Sequence, residues 1–190
     1  MEYGYRFWTA HRGRFVTPPN PFPGVVELPK VDVTADHHLS GGVIGRVGAE
    51  PSISPSEQGA FWSASYAWAV NCSNGCDNAP GPCGKCGIYF IRDLSNFMEF
   101  QSVYHCAGKY QRMERIKVAG RITVQGAVRS VAWEHGNGRR IPEHRASCAY
   151  IETLCVESGN EDWIEGLQRR YNVPVLAGFT RENLTHGMRE

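Results

Sequence analysis

Between residues 116 and 133 the chain reads IKVAGRITVQGAVRSVAW, with Ile122, Val124 and Val128 recurring at even spacing among polar or small residues. Strand side chains point alternately to two faces, so this pattern predicts strand, with Gly120 and Gly126 as bulge or close-approach points. Residues 3–16 alternate bulky and polar positions around Tyr5, Phe7, Phe15 and Val16, which predicts a hairpin turning near Arg12-Gly13. GIYFI (87–91) and CAYIETLCV (148–156) are apolar runs rich in strand formers, and VPVLAG (173–178) is a candidate final strand.

Helical spacing occurs twice. Asp93 can cap a short helix in which Leu94, Phe97 and Met98 share a face. Over 160–172, Trp163, Ile164, Leu167 and Tyr171 form one apolar face, with Ser158 and Glu161 as a capping box, Asn172 as C-cap and Pro174 as terminator. Residues 17–59 break both periodicities. TPPNPFPG and the Gly/Ser/Pro-rich stretch after His37-His38 predict a long excursion with at most one short strand, near Val25–Leu28. EHGNGRRIPEHRAS (134–147) reads as a turn-rich connection, and residues 180–190 as a polar, frayed tail. The sum is an α+β fold in a single domain over 1–190: a small, mainly antiparallel sheet, a C-terminal helix and, from the cysteines below, a zinc-pinned loop.

Composition narrows the class. Hydrophobic residues are 42% and aromatics 11% of the chain, which suits a packed core rather than disorder. Twenty basic and 19 acidic residues give a net charge of +1, so no global attraction to phosphate backbones or anionic membranes is built in. No apolar run approaches the roughly 18 residues that span a bilayer. The opening MEYGYRFWTAHRGRF lacks the layout of a secretory signal, so a cytoplasmic, reducing setting is expected.

Four of the 7 cysteines fall in NCSNGCDNAPGPCGKCGIYF, residues 71–90, spaced C-x3-C-x6-C-x2-C. Cys83-Gly84-Lys85-Cys86, followed by Gly87, has the form of a zinc knuckle: a tight turn aims two thiolates at one point, and glycines let backbone N–H groups approach the sulfurs. Zinc suits four soft thiolates, so Cys72, Cys76, Cys83 and Cys86 are the expected ligands, with Asp77 or a histidine as a substitute for one sulfur. Three rival readings stay open. A redox pair wants its C-x2-C at a helix start, whereas here it leads into a strand. An iron–sulfur cluster also takes four thiolates, and the set can exist as free thiols or as disulfides. A closed four-thiolate zinc is structural, with no open position for substrate.

Other chemistry is sparser. Trp133–Arg145 gathers Glu134, His135, Arg139, Arg140, Glu143, His144 and Arg145, with donors for phosphate or carboxylate and two acid/base groups; a solvated hairpin is the plain alternative. Lys109, Arg112, Arg115 and Lys117 could extend it into a basic patch, and Tyr66, Trp68, Tyr89 and Tyr104 could stack a base. His37-His38, next to Ser40-Gly41-Gly42, could bind a metal or an anionic group, with a solvated loop as the plainer reading. His105 and Cys106, adjacent on a strand, would point apart, and Cys148 and Cys155 cannot share one face of a regular strand. No P-loop, dinucleotide fingerprint, Gly-x-Ser-x-Gly or His-Glu-x-x-His is present.

Ala79, Pro80, Cys83, Cys86, Gly87, Ile88 and Tyr89 resemble the Ala-Pro…Cys…Cys-Gly-Ile-Tyr core of a group of small actinobacterial and actinophage proteins. YGYRFWTAHRGRFVTP, WSASYAWAVNC (resembling the group's Trp…Ala-x-Cys lead-in), VAGRITVQGAVRS followed by Glu-His and Arg-Ala, and GLQRRYNVPV follow in the group's order, over about half the chain. The chain departs from the group in a longer 17–59 excursion, in C-x2-C where C-x-C is common, and in Asp77 where the group often has histidine. The resemblance implies a compact zinc-linked domain of phage or mobile-element origin. It brings no activity.

The functional expectation is a zinc-stabilised, non-enzymatic binding protein for a host protein or a small nucleotide-like ligand. The alternatives are a nucleotide or phosphoester hydrolase using a His-Glu pair within 134–144, and a nucleic-acid-binding module.

Overall fold

The computed structural model describes residues 2–12, 38–40, 43–44, 61–62, 65–68, 76, 79–83, 86–101, 114–134 and 140–188. These build an α+β fold, mostly sheet. Two long strands form its spine: β7 (Glu114–Glu134) and β8 (Arg140–Val156), antiparallel along most of their length. β1 (Glu2–Arg12) lies antiparallel on the outer edge of β7, from Glu2 opposite Val124 to Arg12 opposite Glu114. The far edge of β8 is shared by three short strands: β6 (Gly87–Phe90) at 144–146, β5 (Tyr66–Trp68) at 148–150 and β9 (Val175–Ala177), in parallel, at 154–156. β2 (His38–Ser40) and β4 (Phe61–Trp62) continue outward from β1, and β3 (Val43–Ile44) pairs with β6.

The sheet curls back on itself. Ile91, one residue past β6, bridges Tyr5 of β1 through two hydrogen bonds, Tyr5 N–H to Ile91 O at 2.8 Å and Ile91 N–H to Tyr5 O at 2.9 Å. The path β6–β8–β7–β1 therefore meets its own start. Gly4 makes this curl possible, because a Cβ there would stand 2.2 Å from the Phe90 ring.

Alternation sends the apolar residues to two cores. On one face Trp8, Val118, Ile122 and Leu154 pack with Trp163, Leu167 and Tyr171, the apolar face of α2 (Ile164–Tyr171) and the 3-10 turn before it. On the other, Tyr5, Phe7, Ala119 and Cys155 pack with Leu94, Phe97 and Phe100 of α1 (Leu94–Phe100) and with Phe179 and Leu184. Phe7 and Phe97 stack at 4.3 Å between ring centres. Each fully buried Leu or Phe contributes about 1.5–3 kcal/mol, so covering the sheet on both sides supplies much of the stability.

Two irregularities re-aim β8. Register slips at Glu152, between Thr153 opposite Arg121 and Ile151 opposite Ile122, and again near Gly126. At the second, Gly126 adopts a φ of +75°, and the Ser147 hydroxyl accepts from Ala127 N–H at 3.0 Å. The Glu152 bulge shifts the alternation by one. Cys148 and Cys155, expected on opposite faces, thus both lie on the face away from Ile151 and Leu154, and both are buried.

Several expectations are corrected. Both edges of β1 at 9–11 are occupied, by β2 and β7, so a tight hairpin about Arg12-Gly13 finds no edge to pair with; residues 13–16 lie outside the described residues. Two short strands, β2 and β3, fall within the 17–59 excursion; Val25–Leu28 lies outside the described residues. The turn-rich connection is strand from Arg140 onward. The capping box is replaced by Glu161 alone, whose carboxylate accepts from Gly159 N–H at 3.0 Å. The polar tail is docked: Thr180 caps α3 (Arg181–Leu184) by accepting from Asn183 N–H at 3.1 Å, and Leu184 is fully buried. The caps at Asp93 and at Asn172, in the left-handed region at φ 53°, are as expected.

Candidate metal centre and the polar cluster beside it

The cysteine segment ends where β6 begins. Cys86 is fully buried in the first core, while Cys83 and Cys76 are half-buried against it. Their three sulfurs lie within 4.8 Å of one another, and the Cys83 and Cys86 sulfurs are 3.6 Å apart. Thiolates around a tetrahedral ion with metal–sulfur bonds of about 2.3 Å sit roughly 3.8 Å apart, so this trio fits a metal. Gly81 N–H donates to the Cys86 sulfur at 2.9 Å. None of Cys76, Cys83, Cys86, Cys148 and Cys155 is in a disulfide. Cys72 and Asp77 lie outside the described residues.

Gly87 locks the segment onto the sheet. Its φ is +107°, and a Cβ there would meet Ala146 O, Arg145 Cβ and Pro80 Cβ, each at 3.1 Å. The φ calls for glycine, and the three contacts leave little room for a side chain. The close approach brings the cysteines beside a buried polar cluster on β6 and β8. Tyr89 stands opposite Arg145 in the ladder, and the Arg145 guanidinium lies 4.9 Å from the Tyr89 ring centre. The same guanidinium is 3.6 Å from Glu143, with only 10% and 4% of the two side chains exposed. Burial and the Glu143 carboxylate push the Tyr89 phenol well above its usual range. Burial pulls Arg145 down, opposed by Glu143 first, then by Tyr89, Cys86 and Cys83. Arg6, fully buried, lies over the Trp8 ring at 4.9 Å and within electrostatic reach of Tyr89.

His144 follows Glu143 on the strand and so points the other way. Its ring is 5.3 Å from that of Phe90, and its Nδ1 shares a hydrogen bond of 3.1 Å with the Ser130 hydroxyl, directly across the β7/β8 ladder. Burial lowers the His144 pKa, Arg92 lowers it further, and Glu2 opposes. Arg92 pairs with Glu2 at 2.5 Å. The carboxylate acting on His144 is thus Glu2, whereas Glu143 serves Arg145.

Of the residues expected to bind a ligand, His144 and Arg145 are buried on opposite faces of β8. Glu134 and Arg140 face each other as backbone partners at the far end of the hairpin, with side chains outside the described residues, as are His135 and Arg139 altogether. His37, Tyr104, His105, Cys106, Lys109 and Arg112 also lie outside them, as do the side chains of His38, Trp68 and Arg115. Lys117 is turned to the Gln101 carbonyl at 3.2 Å.

A feature that residue types alone did not reveal is a transverse row of tyrosines. Tyr3 pairs with Thr123, Thr123 with Tyr150, and Tyr150 with Tyr66, so the four share one face. Tyr3 is 38% and Tyr66 46% exposed, the Tyr66 and Tyr150 rings are 6.1 Å apart, and Arg121 lies 5.6 Å from the Tyr3 ring. Thr123 forms the buried floor between Tyr3 and Tyr150 and donates to Glu152 at 2.6 Å. Only the strand register reveals this alignment.

No helix among the described residues is long and apolar enough to cross a membrane. No protein-family model, curated protein sequence or solved structure matches the chain.

Proposed function

We propose that this chain is a zinc-stapled, non-enzymatic binding module whose ligand is a small nucleotide-like molecule, with a host protein as the other class of partner. The observation that carries the ligand class is the row Tyr3–Thr123–Tyr150–Tyr66, which presents exposed aromatic rings on one sheet face. Flat bases stack on such rings without needing a strongly basic surface. The sulfurs of Cys76, Cys83 and Cys86 support zinc: soft donors at tetrahedral spacing, with Cys86 packed in the core, as a structural ion requires. Cys72 would complete the set. The reading places the protein in a reducing cytoplasm, where thiolates stay available, and its phage or mobile-element origin rests on the sequence resemblance alone.

Titration with AMP and GMP, followed by tyrosine fluorescence and by NMR, tests the ligand class. Saturable changes that vanish in Tyr66→Ala support it. No change at millimolar nucleotide removes it and leaves the protein partner to be sought.

A second reading, a phosphoester hydrolase, is favoured by the Ser130–His144 hydrogen bond. A histidine held neutral beside a hydroxyl is a base next to a nucleophile. Turnover of p-nitrophenyl phosphate that is lost in His144→Gln would support it; no turnover in the unmodified protein would remove it.

A further inference from the structure

Arg121 is a buried cation that makes no ion pair among the described residues. It lies on the same face of β7 as Thr123, two residues before it, and so adjoins the tyrosine row. Its guanidinium carbon is 5.6 Å from the Tyr3 ring centre, and the residue is only 4% exposed. Nη1 donates to the Leu184 carbonyl at a long 3.4 Å, and Nε is buried with no hydrogen-bond partner among the described residues. Arginine keeps its charge when buried, so an unmet guanidinium here is costly until an acceptor arrives. Tyr5, directly opposite Arg121 in the β1/β7 ladder, is also poorly matched. Its buried hydroxyl donates to the Met188 thioether at 3.9 Å, and sulfur is a weak acceptor. Burial raises the Tyr5 pKa against the charges of Arg121 and Arg181, so the phenol keeps its proton and acts as a donor.

We propose that Arg121 and Tyr5 form an oxyanion subsite at the end of the tyrosine row, which takes the phosphate of a nucleoside monophosphate whose base stacks along that row. The proposal deepens the nucleotide reading and rests on it for the base, but not for the oxyanion. Two neighbouring donors with poor acceptors favour an anion, because charge-assisted hydrogen bonds are the stronger kind. Phosphate oxygens would replace Leu184 O and Met188 Sδ as acceptors. Met188 is exposed and unbranched, so it can give way. The carboxylates nearby are already engaged: Glu152 accepts from the Thr123 hydroxyl at 2.6 Å, and Asp93 from Asn96 N–H at 2.7 Å.

The experiment uses the full chain at constant ionic strength. Calorimetric titration compares AMP, adenosine and inorganic phosphate, and NMR follows the Arg121 Nε–H signal. Expected is AMP binding about tenfold or more tighter than adenosine, with phosphate alone moving the Nε–H signal. Arg121→Gln should bring AMP down to the adenosine value, and Arg121→Lys should keep part of the preference. Tyr5→Phe keeps the ring and should reduce the preference severalfold, which leaves the test open should Arg121→Gln fail to fold. Adenosine bound as tightly as AMP would overturn the subsite and leave base stacking on the tyrosines standing. Phosphate moving the Nε–H signal while adenosine does not bind would support the subsite and remove the base-stacking reading. A preference for AMP that survives both Arg121→Lys and Tyr5→Phe undiminished would overturn the subsite too.

Discussion

A methyl group on Gly120 would stand 2.4 Å from the carbonyl oxygen of Thr153 and 3.0 Å from the Trp8 ring. β7 and β8 approach this closely because nothing projects from position 120. Gly120→Ala must therefore push the strands apart or shift Trp8, a fully buried side chain. The expected loss is about 1–3 kcal/mol, read from urea unfolding at unchanged slope. A neutral result would mean that the two strands separate freely at this point.

The C-terminal turn is part of the second core. Leu184 is fully buried, and the Asn183 side-chain amide donates to Ala177 O at 2.7 Å and Gly178 O at 3.0 Å. Leu184→Ala should cost about 2–5 kcal/mol and Thr180→Ala about 1 kcal/mol. Thermal melts of the two variants check the order; equal, negligible losses would show a tail that contributes nothing.

Metal removal should loosen the root of β6. A ligand bound only by the folded state stabilises by about 2.7 kcal/mol at a hundred times its dissociation constant. For a chain of this size that is a Tm shift of roughly 5–10 °C. Chelation should lower Tm by this amount, zinc should restore it, and calcium, a hard ion that prefers oxygen ligands, should not. Cys83→Ser should start at the low value and ignore zinc.

Cys155 should be inert. It is fully buried, and burial pushes its thiol up to about 12. At pH 8 almost none is thiolate, the reactive form. After iodoacetamide treatment of the native protein, peptide mapping should find Cys155 unmodified, with labelling only on unfolding.

His144 predicts acid sensitivity. Its folded pKa lies below the ordinary 6.5 because burial disfavours the imidazolium. The folded state then binds fewer protons than the unfolded one. Its contribution is fully present above 6.5 and is lost as pH falls through the lowered folded value. His144→Gln should flatten the stability profile between pH 7 and 5, measured by urea midpoints. An unchanged slope would assign the acid loss to other groups.

Legibility in the sequence followed the range of the forces involved. α1 and α2 could be read because their signals are local: Asp93 and Asn172 at the ends, and Leu167 and Tyr171 one turn apart. The cysteine spacing likewise announced that Cys76, Cys83 and Cys86 would converge. β8 was obscured at its start, because Pro142 and the charges after it read as a turn. It is strand there because β7 pairs with it from Glu134–Arg140 through Ala132–Pro142, while the β6 ladder reaches only to His144, so Pro142 has one paired side, which suits a residue with no N–H to donate. Glu143 and Arg145 tolerate burial through each other and Tyr89. That compensation, like the tyrosine row, depends on register between segments far apart in the chain.

The bridge between Tyr5 and Ile91 and the ladder from Arg12–Glu114 to Glu2–Val124 also set an order of assembly. β1 leaves the ribosome well before its longest partner, which follows about a hundred residues later, roughly 5–20 s at ordinary synthesis rates. Until then Phe7 and Trp8 have no sheet to bury against. β7 and β8 adjoin along the chain and can pair as soon as both exist. The N-terminal strand is consequently a late arrival, received by a hairpin made from the second half of the chain.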